Sequence, residues 1–333
     1  VLVPTLIVVA VLGVMRGFFQ GLGTMMPSAV SQILEQIANA IVSVWAAYVL
    51  YNYGTKVGAV LGNAENYAAA YGAAGGTLGT GTGAVVGLLF AAFVLLAYLS
   101  VFKRQMKRER RAKVDSYSYI FKILFITIIP VLMSTTIYNC NAILDQAIFK
   151  NIANLQGYSA NDISEWNGIY TGKYKTLINV PLSIASALAA SSVPALTAAY
   201  TNGKKEAVRS QINTAIRFIM VVAFPCAVGM GVLASPILQL LFRDSSETAA
   251  HMLQVGAVTI LFFSLSTLSN GLLQGIGRMK EPIKNAIIAL VLHLGLLAAL
   301  MFLFDLNIFA VVIANAAFGL IMCILNAGSI RRY

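Results

Sequence analysis

A few ionisable side chains lie inside otherwise apolar stretches of this sequence, and their types could support chemistry there. The carboxylates can carry a proton or a cation, and the cationic side chains can bind a phosphate-bearing ligand. A charge at the centre of a membrane helix costs at least about 2.5 to 3.5 kcal/mol, so such a residue usually faces a cavity or a partner. The residues are Glu35, Asp145, Lys173, Lys175 and Arg217, with Arg16 at a helix end.

The two embedded carboxylates, Glu35 and Asp145, are candidates for ion coupling. Glu35 follows Pro27 by eight residues, which at 1.5 Å per residue places it roughly 12 Å into a helix. A structural hydrogen bond to another helix is the alternative role for Glu35. Asp145 lies near the outer end of its helix, where solvation is the favoured alternative. His251 and His293 are isolated in the sequence, and we expect neither to carry a proton.

The embedded cations are candidates for contact with a cargo molecule. Lys173 and Lys175 lie near the outer end of a helix, and Arg217 lies nearer the cytoplasmic side. Each has a plain alternative, because a long cationic side chain can extend to the membrane interface while its stem stays in apolar surroundings. Arg16 completes the set of candidate substrate-binding residues.

No catalytic pattern accompanies these charges. The sequence has no paired His/Cys metal spacing, no phosphate-binding Gly-Lys-Ser/Thr loop and no serine nucleophile elbow. The spacing of its three cysteines fits neither a metal site nor a disulfide framework. We therefore expect no enzyme activity, no metal, no cofactor and no transport driven by ATP hydrolysis in this chain.

The elements that must position these charges are membrane helices. Of the 333 residues, 59% are hydrophobic and 11% charged, against roughly half and a quarter in an ordinary soluble domain. Uncharged runs of about 20 residues match the hydrocarbon thickness of a bilayer. This composition indicates an all-α integral membrane protein and excludes secreted disulfide-rich and nucleic-acid-binding domains.

Nine apolar segments are separated by turn residues or charges, so we predict nine helices with the two chain ends on opposite sides of the membrane. The fifth is long for a single span, as expected if it tilts or extends beyond the bilayer. The segments are about 1–15, 27–51, 83–102, 117–140, 168–199, 210–233, 249–276, 283–304 and 308–328.

The net charge of +11 is mainly an orientation signal. If the loop after the first helix is cytoplasmic, 17 of the 23 basic residues fall on the inner side, which is a strong positive-inside bias. Seven of them lie in the run 103–113, which we interpret as a loop lying on anionic membrane lipids rather than a specific polyanion site.

The stretch 71–87 between the second and third helices is rich in Gly, Ala and Thr. Such a sequence is a linker in water, whereas beside a membrane it can begin a helix that packs closely on its neighbours through small residues. The sequence leaves both alternatives open.

A short sequence motif near the start of the chain occurs again near residue 270. Five residues between 17 and 25 recur at an offset of 254, each copy lying between an apolar helix and a helix that starts near a proline. The copies are six helices apart, which predicts a parallel duplication. Its glycines suit a tight intracellular turn, its prolines a first helical turn, and its glutamines the binding of freed backbone groups. The predicted repeat-turn residues are Gly17, Gln20, Gly21 and Pro27 in the first copy and Gly271, Gln274, Gly275 and Pro282 in the second, with Gly23 matching Gly277 and Met25 matching Met279.

Three stretches, 16–36, 168–196 and 270–282, resemble a known family. They read RGFFQGLGTMMPSAVSQILEQ, GIYTGKYKTLINVPLSIASALAASSVPAL and NGLLQGIGRMKEP. The chain resembles the stage V sporulation protein B and polysaccharide biosynthesis branch of the MOP exporter superfamily, whose relatives include lipid II flippases and MATE drug exporters.

The resemblance implies a transporter built from two six-helix bundles. This chain would supply helices four to twelve of a longer protein: residues 1–102 as the last three helices of the N-terminal bundle, 103–116 as a basic cytoplasmic linker and 117–333 as the C-terminal bundle. The fifth helix here would correspond to one that carries a cavity-facing basic residue in lipid II flippases, with Lys173 and Lys175 nearby.

We therefore expect a flippase in the bacterial plasma membrane that moves a lipid-linked polyprenyl pyrophosphate sugar, with lipid II as the leading cargo, by alternating access. Its partners would be this lipid-linked oligosaccharide or another amphipathic anion, anionic membrane lipids at 103–113 and cell-wall synthesis proteins, with no nucleic acid. The alternatives are a cation-coupled, MATE-like exporter of drugs or metabolites and a non-transporting membrane scaffold for cell-wall synthesis.

Overall fold

The computed structural model describes residues 2–22, 24–108 and 115–332. Over these residues it is all-helical, which confirms the predicted fold class. The chain divides into two compact units, the first ending at residue 114 and the second beginning at Asp115. The basic run 103–113 is described only as far as Arg108, so the part of its proposed lipid contact that involves Arg110, Arg111 and Lys113 lies outside the described residues.

The first unit contains three long helices: α1 (Val3–Gly21), α2 (Met26–Leu61) and α3 (Ala64–Arg108). Pro27 lies in the first turn of α2, where its missing N–H leaves no helical hydrogen bond unmade. The third helix begins nearly twenty residues before the predicted start at 83 and includes the whole Gly/Ala/Thr-rich stretch. The close-packing alternative for that stretch is therefore confirmed, and the linker alternative is wrong.

The small residues of α3 let its backbone approach α2 closely. A Cβ atom on Gly83 would lie 2.6 Å from the backbone oxygen of Glu35, so only glycine fits at this contact. The hydroxyl of Ser43 on α2 also donates a hydrogen bond of 2.8 Å to the backbone oxygen of Gly76 on α3. Small residues and interhelical hydrogen bonds of this kind are typical of helix association in membranes.

The second unit contains nine α-helices and one π-helical turn among its described residues. The Ser116 and Ser159 hydroxyls accept backbone N–H groups of the first turn at the N-termini of α4 and α5. In order, the elements are α4 (Tyr117–Leu155), α5 (Ala160–Gly168), the π-helical turn (Ile169–Tyr174), α6 (Lys175–Thr201), α7 (Lys205–Val232), α8 (Ala234–Phe242), α9 (Glu247–Gly256), α10 (Thr259–Gly275), α11 (Lys280–Phe304) and α12 (Asn307–Arg331).

Seven helices in the described part of the chain are long and apolar enough to cross a membrane, or eight if the bent pair α9–α10 counts as one span. The seventh predicted helix, 249–276, is this pair, with an angle of 43° between its halves. The long fifth segment is continuous over Ala160–Thr201. The remaining predicted segment, 117–140, lies in α4, and several of its side chains from 130 to 138 lie outside the described residues.

Helix α12 lies in the interior of the second unit, packed against α4, α9, α10 and α11. In the apolar 18-residue stretch of α12, 56% of the residues are buried, whereas in the other six spans the buried share is 6 to 22%. A helix this enclosed contacts protein rather than lipid on most of its circumference. Polar side chains on α12 and its neighbours must therefore find partners within the bundle.

Candidate coupling and cargo sites

In the first unit, Arg16 and Glu35 form an ion pair. Arg16 Nη2 lies 2.6 Å from Glu35 Oε2, and Arg16 Nε donates a hydrogen bond of 2.7 Å to the hydroxyl of Ser31. The two charged side chains are 15% and 20% exposed. Gly87 on α3 lies against this pair, and a Cβ there would lie 3.3 Å from the Arg16 guanidinium and 3.4 Å from the Glu35 Cβ.

The sequence placed Arg16 with cargo and Glu35 with ion coupling as separate candidates, and the structure brings them together. A paired guanidinium and carboxylate cancel most of each other's charge at a distance. Opening of the pair would leave the Arg16 guanidinium free to bind another anion.

In the second unit, Asp145 is buried and paired with a histidine. The residue is 1% exposed, and Asp145 Oδ1 lies 2.5 Å from His293 Nε2. The expectation that Asp145 is solvated is thus wrong, because α11 and α12 cover this face of α4. The expectation that His293 is isolated is wrong as well, since the pair joins residues 148 positions apart.

Three further polar residues complete this buried network. The Asn315 amide donates to Asp145 Oδ2 at 2.7 Å and lies 3.2 Å from the Tyr170 hydroxyl. The Asn141 amide donates to Asn315 Oδ1 at 3.3 Å, while Asn141 Oδ1 is buried with no hydrogen-bond partner in the described structure. Sequence reasoning missed all three, although an asparagine inside an apolar helix is itself a signal for a buried polar contact.

The two nitrogens of the His293 ring contact oxygen atoms on two different helices. His293 Nδ1 lies 2.8 Å from the backbone oxygen of Ala314, which can only accept, so Nδ1–H is the donor in this contact. His293 Nε2 lies 2.5 Å from Asp145 Oδ1. The ring therefore links α11 to both α4 and α12.

Lys173 and Lys175 lie at the π-helical turn between α5 and α6. Lys173 Nζ lies 2.5 Å from Asp244 Oδ2, in the segment between α8 and α9. The hydrogen bond from Lys173 lowers the pKa of the Asp244 carboxyl, and the backbone N–H of Ser246 lowers it further. Lys175 Nζ instead lies 4.9 Å from the centre of the Tyr170 ring, within cation–π range.

The π-helical turn connects these lysines to the buried network. It places Tyr170 and Tyr174 face to face, with ring centres 5.4 Å apart, and Tyr170 also reaches Asn315. Lys175 thus contacts Tyr170, which joins the buried Asp145 network through Asn315. Single π-helical turns inside α-helices occur frequently at functional sites.

Arg217 lies apart from Lys173 and Lys175. It is exposed and lines a cavity of about 350 Å³ with Glu206, Arg209 and Asn213 on the same helix, α7. Neither lysine lines this cavity. Lys173, Lys175 and Arg217 therefore do not form one cluster.

The repeat residues flank the turns rather than form them. Gly17, Gln20 and Gly21 lie in the last turns of α1, and Gly271, Gln274 and Gly275 lie in the last turns of α10. Pro27 and Pro282 lie in the first turns of the next helices.

The second copy's turn residue is Gly277, with a φ of 76° that favours glycine, while its counterpart Gly23 lies outside the described residues. Gly271 and Gly275 serve packing instead. A Cβ at these two positions would meet Ala189 at 2.9 Å and Leu196 at 3.1 Å on α6.

The chain is similar in sequence and fold to known membrane proteins. Among curated relatives, the chain is 27% identical over 306 residues to Lipid II flippase MurJ of Bacillus subtilis (strain 168), covering 87% of this chain and 52% of that protein. It is 22% identical over 329 residues to Stage V sporulation protein B of the same organism, covering 99% and 60%. The chain thus spans about half the length of the first of these relatives.

A solved structure described as the outward-facing conformation of a multidrug resistance MATE family transporter of the MOP superfamily has a TM-score of 0.71. It shares 16% identity, and the alignment covers 99% of this chain and 67% of that one. At this identity the likeness shows the fold, and it confirms the predicted MOP-type bundle architecture.

The family assignment follows from the sequence match along nearly the whole chain. The family model described as Lipid II flippase MurJ matches residues 1–329. Together with its apolar helices, this match makes the chain a multi-pass protein of the bacterial cell membrane and confirms the resemblance to the MOP superfamily. The chain belongs to the MurJ family of lipid II flippases.

Proposed function

We propose that this chain is part of a flippase that moves a lipid-linked, pyrophosphate-bearing sugar precursor of the cell envelope across the membrane, with lipid II as the leading cargo. The observation that carries the proposal is the match to the lipid II flippase family over residues 1–329. The activity would belong to a protein as long as its relatives, of which this chain supplies a part. No catalytic reaction is assigned to the chain.

Lys175 and Arg217 are the cations best suited to the anionic head group. Arg16 and Lys173 are already neutralised by Glu35 and Asp244 in this conformation. Lys175 rests on an aromatic ring, and Arg217 lines an open cavity, and neither forms an ion pair in the described part of the chain. Each of them could therefore contact a phosphate group without displacing a carboxylate, and Arg16 and Lys173 would become available only after their pairs open.

The Asp145–His293 pair is the site we propose for ion coupling. It brings a carboxyl group and an imidazole into contact almost without solvent exposure, since the two side chains are 2% and 0% exposed. A proton gained or lost here would change the charge buried among α4, α11 and α12, and an uncompensated charge is costly in an apolar interior. A rearrangement of these helices that admits water would relieve the cost and so link protonation to conformation.

The Glu35–Arg16 pair is a second proposed coupling site, since the two residues form a partly buried contact between α1 and α2. Opening of this pair would free a cation for cargo. In this proposal, coupling and cargo binding would be two states of one ion pair.

A MATE-like, cation-coupled exporter of drugs or metabolites is the alternative function. The observation that favours it is the fold shared with a multidrug transporter structure. A purified full-length protein in proteoliposomes separates the two. Flipping of lipid II or a related lipid-linked sugar supports our proposal, whereas gradient-driven drug movement without flipping supports the alternative.

The cargo assignment is tested in the same system with paired substitutions. We expect Lys175→Gln with Arg217→Gln to reduce flipping at least about tenfold, because charge-assisted hydrogen bonds to phosphate are among the strongest. The matched control is Lys150→Gln with Lys280→Gln, which removes two exposed lysines of the same unit. Undiminished flipping by the first variant would remove Lys175 and Arg217 from the proposal.

A further inference from the structure

A second cavity of the second unit lies where the end of α12 meets the connection between α6 and α7. Its volume is about 1100 Å³. Its walls carry five cationic side chains and no carboxylate: Lys204, Lys205, Arg209, Arg331 and Arg332. None of the proposed coupling residues lines it.

No carboxylate lines this cavity beside the five cations. In the part of the chain that the structure describes, none of them forms an ion pair. The nearest carboxylate by position is Glu206, which lines the neighbouring cavity with Arg209 and Arg217. Five like charges around one cavity repel one another, so an anion that enters it lowers the electrostatic energy of the site.

The base of the cavity is apolar. Val208, Ile212 and Ile330 line it, and all three pack against a buried cluster that includes Leu196 and Leu272. Ile212 is seven residues along α7 from Lys205, which places it roughly 10 Å deeper along the helix axis. A small inorganic anion would leave this apolar base unused, whereas an amphipathic molecule would cover both parts.

The position of the cavity also matches a membrane interface. Arg331 ends α12, a helix of 25 residues that is long enough to cross a bilayer. The cations therefore lie at head-group depth and the apolar base lies toward the acyl chains. In the orientation expected from the basic residues, this is the cytoplasmic side, where basic pockets between helices bind anionic lipid head groups.

We propose that this cavity is a binding site for the phosphate head group of an anionic glycerophospholipid, such as phosphatidylglycerol. The cations would bind the phosphodiester, and Val208, Ile212 and Ile330 would contact the glycerol and upper acyl chain. The site is distinct from the cargo and coupling residues above and does not depend on which molecule the protein moves. A polyprenyl diphosphate offers the same phosphate chemistry, and the experiment distinguishes the two.

The test measures lipids retained by the purified full-length protein in native mass spectrometry, with phosphatidylglycerol or phosphatidylcholine of the same acyl chains. The variant Lys204→Gln, Lys205→Gln, Arg331→Gln removes three exposed cations of the cavity. We expect phosphatidylglycerol binding to weaken at least about tenfold, because each basic residue near an anionic lipid contributes measurably. Phosphatidylcholine binding should not change.

The matched control, Lys122→Gln, Lys280→Gln, Lys284→Gln, removes three exposed cations that are expected on the same side of the membrane. It should bind phosphatidylglycerol like the wild type. Equal binding by the cavity variant and the wild type would overturn the site, as would equal losses in both variants. Displacement of phosphatidylglycerol by equimolar polyprenyl diphosphate, or by inorganic phosphate, would overturn the assignment to a glycerophospholipid.

Discussion

His293 Nε2 on α11 lies 2.5 Å from Asp145 Oδ1 on α4 in the interior of the second unit. Nδ1 of the same ring lies 2.8 Å from the backbone oxygen of Ala314 on α12. One imidazole thus joins three helices. This relationship is the physical basis for the proposed coupling.

The first prediction concerns proton dependence of transport. His293→Gln removes the imidazole of the proposed coupling pair, so we expect the response of flipping in proteoliposomes to a pH gradient to fall about tenfold, within the usual range of coupling free energies. The matched control is His251→Gln, because His251 is an exposed histidine of α9. A full gradient response in the His293 variant would remove the pair from the mechanism, whatever the cargo.

The second prediction concerns stability of the same network. Asn315→Ala removes the amide that binds Asp145 and Tyr170 and leaves their polar atoms without it. We expect the free energy of unfolding to fall by about 2 kcal/mol, the usual cost of leaving buried polar groups unsatisfied. Chemical denaturation in detergent measures it. Asn179→Ala, at an exposed position of α6, should change stability little.

The sequence predicts the helices better than it predicts their polar contacts. Apolar run length is local information, and it identifies the long fifth helix and the duplicated junctions around Gly17 and Gly271. Contact between Asp145 and His293 depends on how α4 and α11 pack, 148 residues apart. The position of each residue within its own helix therefore predicts the wrong environment for both Asp145 and His293.

The start of α3 shows a second limit. A stretch rich in glycine and alanine can form either a linker or a closely packed membrane helix, so the composition of 71–87 fits both. What decides is the partner surface: α2 presents Ser43 and the backbone at Glu35 to the small residues of α3. That surface becomes visible only once the two helices are placed together.

The third prediction concerns acid stability at the Lys173–Asp244 pair. The pKa of Asp244 is lowered from its usual value of 3.8. A carboxyl whose folded-state pKa is lowered stabilises the protein above its unfolded-state pKa, and this stabilisation is lost as the pH falls through the lower folded-state pKa. Asp244→Asn should therefore lower the melting temperature at pH 7 and reduce its decline on acidification below pH 3.8.

The control for this prediction is Asp162→Asn, at an exposed carboxyl of α5 that no lysine or arginine contacts in the described structure. It should leave the pH profile close to that of the wild type. If Asp244→Asn and the wild type lose stability in parallel on acidification, the ion pair does not stabilise the fold.

The fourth prediction is a double-mutant cycle at Arg16 and Glu35. Each single change, Arg16→Gln or Glu35→Gln, leaves a partly buried charge without its partner, and we expect each to cost about 2 kcal/mol, below the 3–5 kcal/mol typical of fully buried pairs. The double variant should cost less than the sum of the two, because it leaves no unpaired charge. Additive costs measured by denaturation would show that the pair contributes no coupling energy.

The fifth prediction concerns the close approach of α2 and α3. In Gly83→Ala the new methyl group would lie 2.6 Å from the Glu35 backbone oxygen, so the helices must separate, and overpacking of this kind costs about 1 to 3 kcal/mol. The matched control is Gly76→Ala on the same helix, where no atom lies within 4 Å of the new Cβ. There the substitution should be neutral or stabilise the helix by about 0.5 to 1 kcal/mol. Because Glu35 also holds Arg16, Gly83→Ala should disturb that ion pair and shift the pH dependence of flipping, whereas Gly76→Ala should not. Equal stability of the two variants in thermal unfolding would contradict the close packing on which this part of the site depends.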